Sequence, residues 1–386
     1  MILSILNKIK YILRYLQIQM LLKMRLSFFI LFFIIHFSIS AQPYSAYTDL
    51  RQRFNVFDNG IVSNIEGLPP LDFKIGKTAI AYLDNQRIFK IYKDGMVNTI
   101  NDMFTTQFAV SDNLILFKSS SILSVIDGSE VVQLSRLCDR FALGDSMVMF
   151  YDINRSTFNA YYNGKITELE TFLNINENDF SFDNYVKVSD NIGAYINYNG
   201  EFKVFYDGES QVLESQKVKS FEVGRNMVAY VDINNVFKIF YNGQTYTIDP
   251  FEPKSFKVGD DVAAFVCNDG NFKLFYKGSL ITIGYYEPRY NVSEHIVAYE
   301  DKNGYFKIFY DGDYTVVDNY FPEKFKLSYN SLVYSNKSNV LRMFSKGKIY
   351  EVANMSIEDY RLDYDVLQYK IGLNAYKIFI EGNYYN

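Results

Sequence analysis

Few side chains in this sequence could do chemistry, and their spacing narrows the choice further. Beyond Ala41 there is a single histidine, His295. With no second histidine near it and no C-x-x-C, it offers no zinc or iron constellation. A Ser-His-Asp arrangement would also depend on His295, and no G-x-S-x-G supplies a nucleophile elbow. The two cysteines, Cys138 and Cys267, stand at non-equivalent places in the chain's repeat and read as two buried thiols, although an exporting compartment would permit a disulfide. Carboxylates are the remaining candidates. Asp84, Asp152, Asp232, Asp269 and Asp301 recur in short polar segments without the D-x-D-x-D-G spacing of a calcium loop, and read as turn residues. A denser grouping of Pro, Tyr and acid occurs in DPFEPK from Asp249, YYEPRY from Tyr285 and NYFPEK from Asn319. From these segments Asp249, Glu252, Tyr286, Glu287, Arg289, Tyr320 and Glu323 form the candidate ligand-binding set; the competing reading is that proline stiffens a surface loop. No residue pattern calls for a cofactor or metal.

The elements that would position these residues come from a repeat. Gly60, Gly95, Gly128, Gly164, Gly208, Gly243, Gly278, Gly312, Gly347 and Gly382 fall at intervals of 35, 33, 36, 44, 35, 35, 34, 35 and 35 residues, each closing a version of FKIFYNG. A constant period in this range means one supersecondary unit copied along the chain. Most units open on an aromatic-x-aliphatic-small pattern, such as FEVG from Phe221 or FKVG from Phe256, with a second aromatic nine residues on, at Tyr230 and Phe265. These runs are short, rich in β-branched and aromatic residues and bounded by Gly, Asp and Asn, so they read as strands. Asp94-Gly95, Asp127-Gly128, Asn163-Gly164, Asp207-Gly208, Asn242-Gly243 and Asp311-Gly312 suit two-residue hairpin turns of type I′, whose central residues both take positive φ. Each unit is thus four short antiparallel strands.

A lone four-stranded meander of this length cannot cover both of its faces, so the copies must stack. A radial propeller and a linear solenoid are the two ways to do so, and antiparallel four-stranded units favour the propeller. The fold expected is all-β: a propeller of about ten blades with the aromatic positions filling the space between them. AYTDLRQRFNVFDNG, from Ala46, matches the second and third strands of later units, while the chain stops just after the third strand that ends at Gly382. Strands from both termini are therefore expected to close the ring, sharing the last blade. The 44-residue interval, with extra polar sequence at 174–183, is the one place where the array could split in two; a single ring is the preferred reading.

The opening residues are of another kind. Met24-Arg25 precedes LSFFILFFIIHFSIS and then Ala41-Gln42, which has the order of a basic region, an apolar core and a small-residue cleavage site. Residues 1–41 are expected to be a secretory signal, with translation starting at Met1 or Met24, and residues 42–386 a single repeat domain, secreted or periplasmic, without a stable membrane span once the signal is removed. The domain then carries 34 basic against 44 acidic residues, about −10, with no basic runs. That composition argues against a nucleic-acid partner, whose phosphates need clustered Lys and Arg.

NIGAYINYNGEFKVFYDG from Asn191 and VAYEDKNGYFKIFYDG from Val297 resemble the propeller repeats of the TolB-like and dipeptidyl-peptidase propeller families. The resemblance covers the second and third strands of most units. It implies a propeller scaffold outside the cytoplasm and transfers no active site, since the Ser-Pro-Asp-Gly stretch of those repeats and any hydrolase domain are lacking. Two functions follow as expectations. The first is a non-enzymatic binding or scaffold propeller with a protein or glycan partner. The alternative is a secreted propeller hydrolase or lyase acting on glycans or peptides through paired carboxylates, which would have to converge in one pocket.

Overall fold

A computed structural model describes residues 44–101, 104–172, 182–357, 359–372 and 375–385. Residues 42–386 form one compact unit, and the expected signal segment at 1–41 lies outside the described residues. The chain builds ten antiparallel sheets in sequence order. They are numbered here as blades 1 to 10, spanning 45–66, 72–101, 105–135, 141–170, 186–214, 220–249, 255–284, 290–318, 325–353 and 360–385. Nine have four strands; blade 1 has three. Apart from one short 3-10 turn at Phe182–Asn184, the described residues contain no helix.

Blade 6 shows the unit: Ser220–Gly224, Met227–Val231, Phe237–Tyr241 and Gln244–Asp249. The second strand is buried throughout, the third alternates, and the fourth is mostly exposed. First strands of successive blades lie beside one another, so they form the inner wall of the ring. The recurring glycine sits in a two-residue turn between the third and fourth strands: Asn242 has φ 47° and Gly243 φ 82°, as type I′ requires. Blade 3 departs from this expectation. Asp127 pairs with Glu130, so its turn is Gly128–Ser129, with glycine at the first central position and Asp127 still in the strand.

The two aromatic registers of the repeat have a common partner. Phe202 of blade 5 packs on Phe221 and Tyr230 of blade 6, with ring centroids 5.0 and 5.2 Å away. The same triad recurs as Phe54 on Phe73 and Tyr82, Phe237 on Phe256 and Phe265, and Phe306 on Phe325 and Tyr334. Each fully buried ring contributes about 1.5–3 kcal/mol by leaving water, so blade-to-blade packing is the main source of cohesion.

Strands from the two ends do close the ring, but as two packed sheets. Blade 1 occupies the second, third and fourth strand positions on its own, and blade 10 supplies all four of its strands. Tyr47 stacks on Tyr376, Phe57 packs on Tyr385, and Ser45 donates a hydrogen bond to Gln368. The array does not split after Gly164: Phe158 of blade 4 contacts Tyr195 of blade 5 at 5.1 Å. Of the extra sequence at 174–183, residues 174–181 lie outside the described residues.

Candidate functional site

Antiparallel order places the turns between strands one and two, and between three and four, at one face of the ring. Loops between strands two and three, and the connections between blades, emerge at the other. The sequence-derived candidates belong to this second face, where they brace blade boundaries. Glu252 pairs with Lys219 at 3.4 Å, Glu287 with Lys254, and Arg289 holds Glu300 through two hydrogen bonds of 2.8 and 3.0 Å. Asp249 accepts a hydrogen bond from the Phe251 N–H. The Tyr320 ring lies under Lys337, and Glu323 is exposed beside Arg289. Tyr286 alone of the set lines a sizeable cleft, about 650 Å³, together with Tyr299, Tyr314, Asp301 and Lys307. The candidates are thus spread over three successive connections.

Asp84, Asp232 and Asp301 are buried parts of a repeated lock. Each accepts backbone N–H bonds inside its own loop and pairs with a lysine of the third strand: Lys90, Lys238 and Lys307, at 2.8–2.9 Å. In two of the three locks the lysine also reaches back to the preceding blade. Lys90 meets Glu66 and Lys238 meets Glu214, at 2.8 and 2.7 Å, while Tyr82 and Tyr230 donate to the same carboxylates. A bulge near the end of the last strand sets each of these acids opposite a phenylalanine of the strand before it, Glu66 against Phe54 and Glu214 against Phe202, at the blade boundary. Burial alone would push Asp232 upward in pKa, but Lys238 and the two N–H donors hold it below the usual carboxylate value.

A convergent charged site lies elsewhere, on the inner turns of the first face. Gly or Ser closes the first strand in blades 2 to 9 and Asp363 in blade 10, and at the glycines crowding fixes the choice. A Cβ on Gly144 would lie 1.7 Å from the Ser189 carbonyl oxygen, and one on Gly224 only 1.8 Å from that of Gly259. The next residue turns into the ring: Lys77, Asp112, Asp145, Asp190, Arg225, Asp260, Glu294, Tyr329 and Tyr364 in blades 2 to 10. Lys77 Nζ donates to Tyr329 Oη at 2.8 Å and pairs with Asp112 at 3.4 Å, linking blade 2 to blade 9. Arg225 clamps Asp190 at 2.5 Å, and Ser146 donates to the same carboxylate. Glu294 accepts the Tyr329 N–H at 2.9 Å.

This site is electrostatically strained toward protonation. Burial, then the charge of Asp112, pushes Asp145 up to about 6. Burial also pushes Asp260 up to about 7; Arg225 opposes the shift, while Asp145, Glu294 and Asp190 add to it. His295 lies beside Asp260 and Asp261 at 3.8 and 4.0 Å, and burial lowers its pKa, so it is neutral at pH 7. Among the described residues no group of three or more His, Cys, Asp or Glu is arranged to hold a metal ion. Both cysteines are free and buried. The ring was legible in principle, because it is simply the position after each small residue, acidic in five of nine blades.

Ten meandering sheets around an acid-rich inner ring define a β-propeller. The chain belongs to the family of 10-bladed β-propeller domains, whose match runs over residues 38–385. No curated protein matches it. Among solved structures it is similar to the computationally designed Ika8 protein, at 13% identity and a TM-score of 0.32 over 72% of this chain and 96% of that one. Hsv2p of Kluyveromyces lactis gives 12% and 0.31, over 63% and 93%. PorZ, a surface component of the type-IX secretion system of Porphyromonas gingivalis, gives 11% and 0.28, over 89% and 58%. Likeness at this level carries nothing about function. The TolB-like and dipeptidyl-peptidase resemblance reaches no further than the propeller architecture. Among the described residues no helix is long and apolar enough to cross a membrane.

Proposed function

We propose that this chain is an exported, non-enzymatic binding or scaffold propeller with a protein or glycan partner. The observation that carries the reading is the commitment of its loop carboxylates: Glu252, Glu287 and Glu300 each face a cation across or beside a blade boundary. Held in this way, these three carboxylates do not form the free acid–base pair that a hydrolase needs. The exposed Glu252, Glu287, Arg289 and Glu323, with Tyr286, Tyr320 and Asp249, then form the surface offered to a partner. The test is incubation of the purified domain with peptide and glycan substrate panels between pH 5 and 8, where no turnover is expected. Turnover that disappears in Asp260→Asn would refute a purely binding role. Export is tested separately by fusing residues 1–41, and 24–41, to a reporter. Retention of both fusions in the cytoplasm would remove the exported part of the reading.

The alternative, a hydrolase or lyase acting on glycans or peptides, is favoured by one feature. Asp145 and Asp260 gather on the inner ring with their pKa values pushed up to about 6 and about 7, so either could donate a proton near neutrality. The same substrate panel decides between the two readings.

A further inference from the structure

The blades are close copies, so a boundary that departs from the others marks itself. At five boundaries the tyrosine at the end of one third strand meets a phenylalanine of the next edge-on: Tyr162–Phe205, Tyr206–Phe240, Tyr241–Phe275, Tyr276–Phe309 and Tyr310–Phe344. Fourth strands add Tyr246 on Phe275 and Tyr350 on Phe379. Strand registers place Lys93 where Tyr241 stands, Asn98 where Tyr246 stands, and Ile126 where Phe275 stands. All three aromatic positions are therefore empty of rings between blades 2 and 3. The neighbouring boundaries compensate: Tyr44 packs on Tyr92, and Tyr161 donates to Asp127 at 2.9 Å.

What the missing rings leave is a cleft of about 610 Å³ opening on the turn-bearing face. That size is ordinary for a small-molecule site. Its walls include Ile91, Ile100, Ile115, Ile126 and Val131, and Lys93 and Asp94 stand at its mouth. Lys93 Nζ reaches the Gly128 carbonyl at 3.5 Å and forms no ion pair among the described residues. At two other boundaries a tyrosine of the later blade donates to the carboxylate ending the earlier blade's third strand, Tyr92 to Asp58 and Tyr161 to Asp127, at 3.0 and 2.9 Å, and at another Tyr276 donates to the turn residue Asp311 of the next blade at 3.1 Å.

We propose that this cleft binds a small phenolic compound. Its ring takes the place of the absent tyrosine among the isoleucines, and its hydroxyl accepts from Lys93 and donates to Asp94. The site is independent of the partner surface and of the inner ring. The probe is p-cresol, with toluene as the ring without a hydroxyl, titrated onto the whole chain by calorimetry or saturation-transfer NMR. Saturable p-cresol binding is expected, weakened about fivefold by Lys93→Met while toluene changes by less than about twofold, since a single hydrogen bond is removed. Refilling the cleft with Asn98→Tyr and Ile126→Phe should weaken both ligands by about twentyfold or more, as their apolar contacts are lost, at an unchanged or higher unfolding temperature. Should the refilled variant unfold earlier, Lys93→Tyr alone serves as the blocking change. No saturation on the natural chain, or full binding by a stably folded refilled variant, overturns the proposal.

Discussion

Two glycines of blade 6 separate the ways in which a propeller depends on this residue. Gly243 has φ +82° and open space around the position of a missing Cβ. Gly224 has ordinary backbone, but a Cβ there would lie 1.8 Å from the Gly259 carbonyl oxygen and 2.8 Å from Val258 Cγ1. Gly243→Ala should therefore cost only the left-handed backbone, about 1 kcal/mol. Gly224→Ala must move two blades apart by about 1.6 Å to restore an ordinary contact near 3.4 Å. The obstacle is main chain, and the blades are held by Phe237 on Phe256 and Phe265, so the cost belongs at the upper end of overpacking, about 3 kcal/mol. For a unit spanning Gln42–Asn386, an unfolding entropy near 2.1 cal/mol/K per residue converts 1 kcal/mol into about 1.4 °C. The melting points should then fall by about 1.5 °C for Gly243→Ala and about 4 °C for Gly224→Ala, read by calorimetry or circular dichroism. Equal losses, or a larger one at Gly243, would show that close approach of the inner strands is not what selects the small residue.

Two further predictions concern charge. Because the folded pKa of Asp260 is raised to about 7 from 3.8, its contribution is complete below about pH 4 and is lost as pH rises through 7. Asp260→Asn should thus be more stable than the natural chain at pH 8 by about 2–4 kcal/mol, and nearly equal below about pH 4; urea midpoints that run parallel across this range would contradict the burial of Asp260 among the inner-ring acids. Lys238→Met leaves Asp232 and Glu214 without their shared cation and should cost about 2–4 kcal/mol at pH 7. The folded pKa of Asp232 is depressed, so its part of that cost is present above the unfolded value near 4 and fades as pH falls through the folded one. A deficit unchanged between pH 7 and pH 3 would count against the lock.

Strand order, turn type and aromatic packing were readable because the repeat states them ten times over. Phe221 and Tyr230 recur at fixed places since both receive Phe202, and that geometry leaves no latitude in spacing. The lock was harder to see because it joins neighbouring copies: Glu214 and Tyr230 lie 16 residues apart, in different units, and only the bulge after Phe202 brings them together. Closure was misjudged in detail for a related reason. Matching Ala46 to a second strand is right, but whether its sheet borrows a strand depends on contacts between the two ends, which no local pattern records. Candidate site residues were sought where the repeat relaxes, and the salt bridges of Glu252 and Glu287 to the preceding connection, like the lock, join neighbouring copies and leave no local pattern.

The inner ring inverts that expectation. Its residues sit at the most regular place in each blade, directly after a small residue that crowding dictates, yet their identities are the least repetitive. Packing explains why Gly144, Gly224 and Gly259 are small; it does not explain why the residues that follow are Asp145, Arg225 and Asp260. If the turns served only to reverse the chain, short polar residues of any charge would suffice in every blade. Instead five acids crowd one axis with two cations, and burial, joined by the neighbouring acids, raises the pKa values of Asp145 and Asp260. A charge arrangement that opposes folding at neutral pH calls for a reason beyond stability, which is why Asp260→Asn is the variant whose binding, turnover and pH-dependent stability should be measured together.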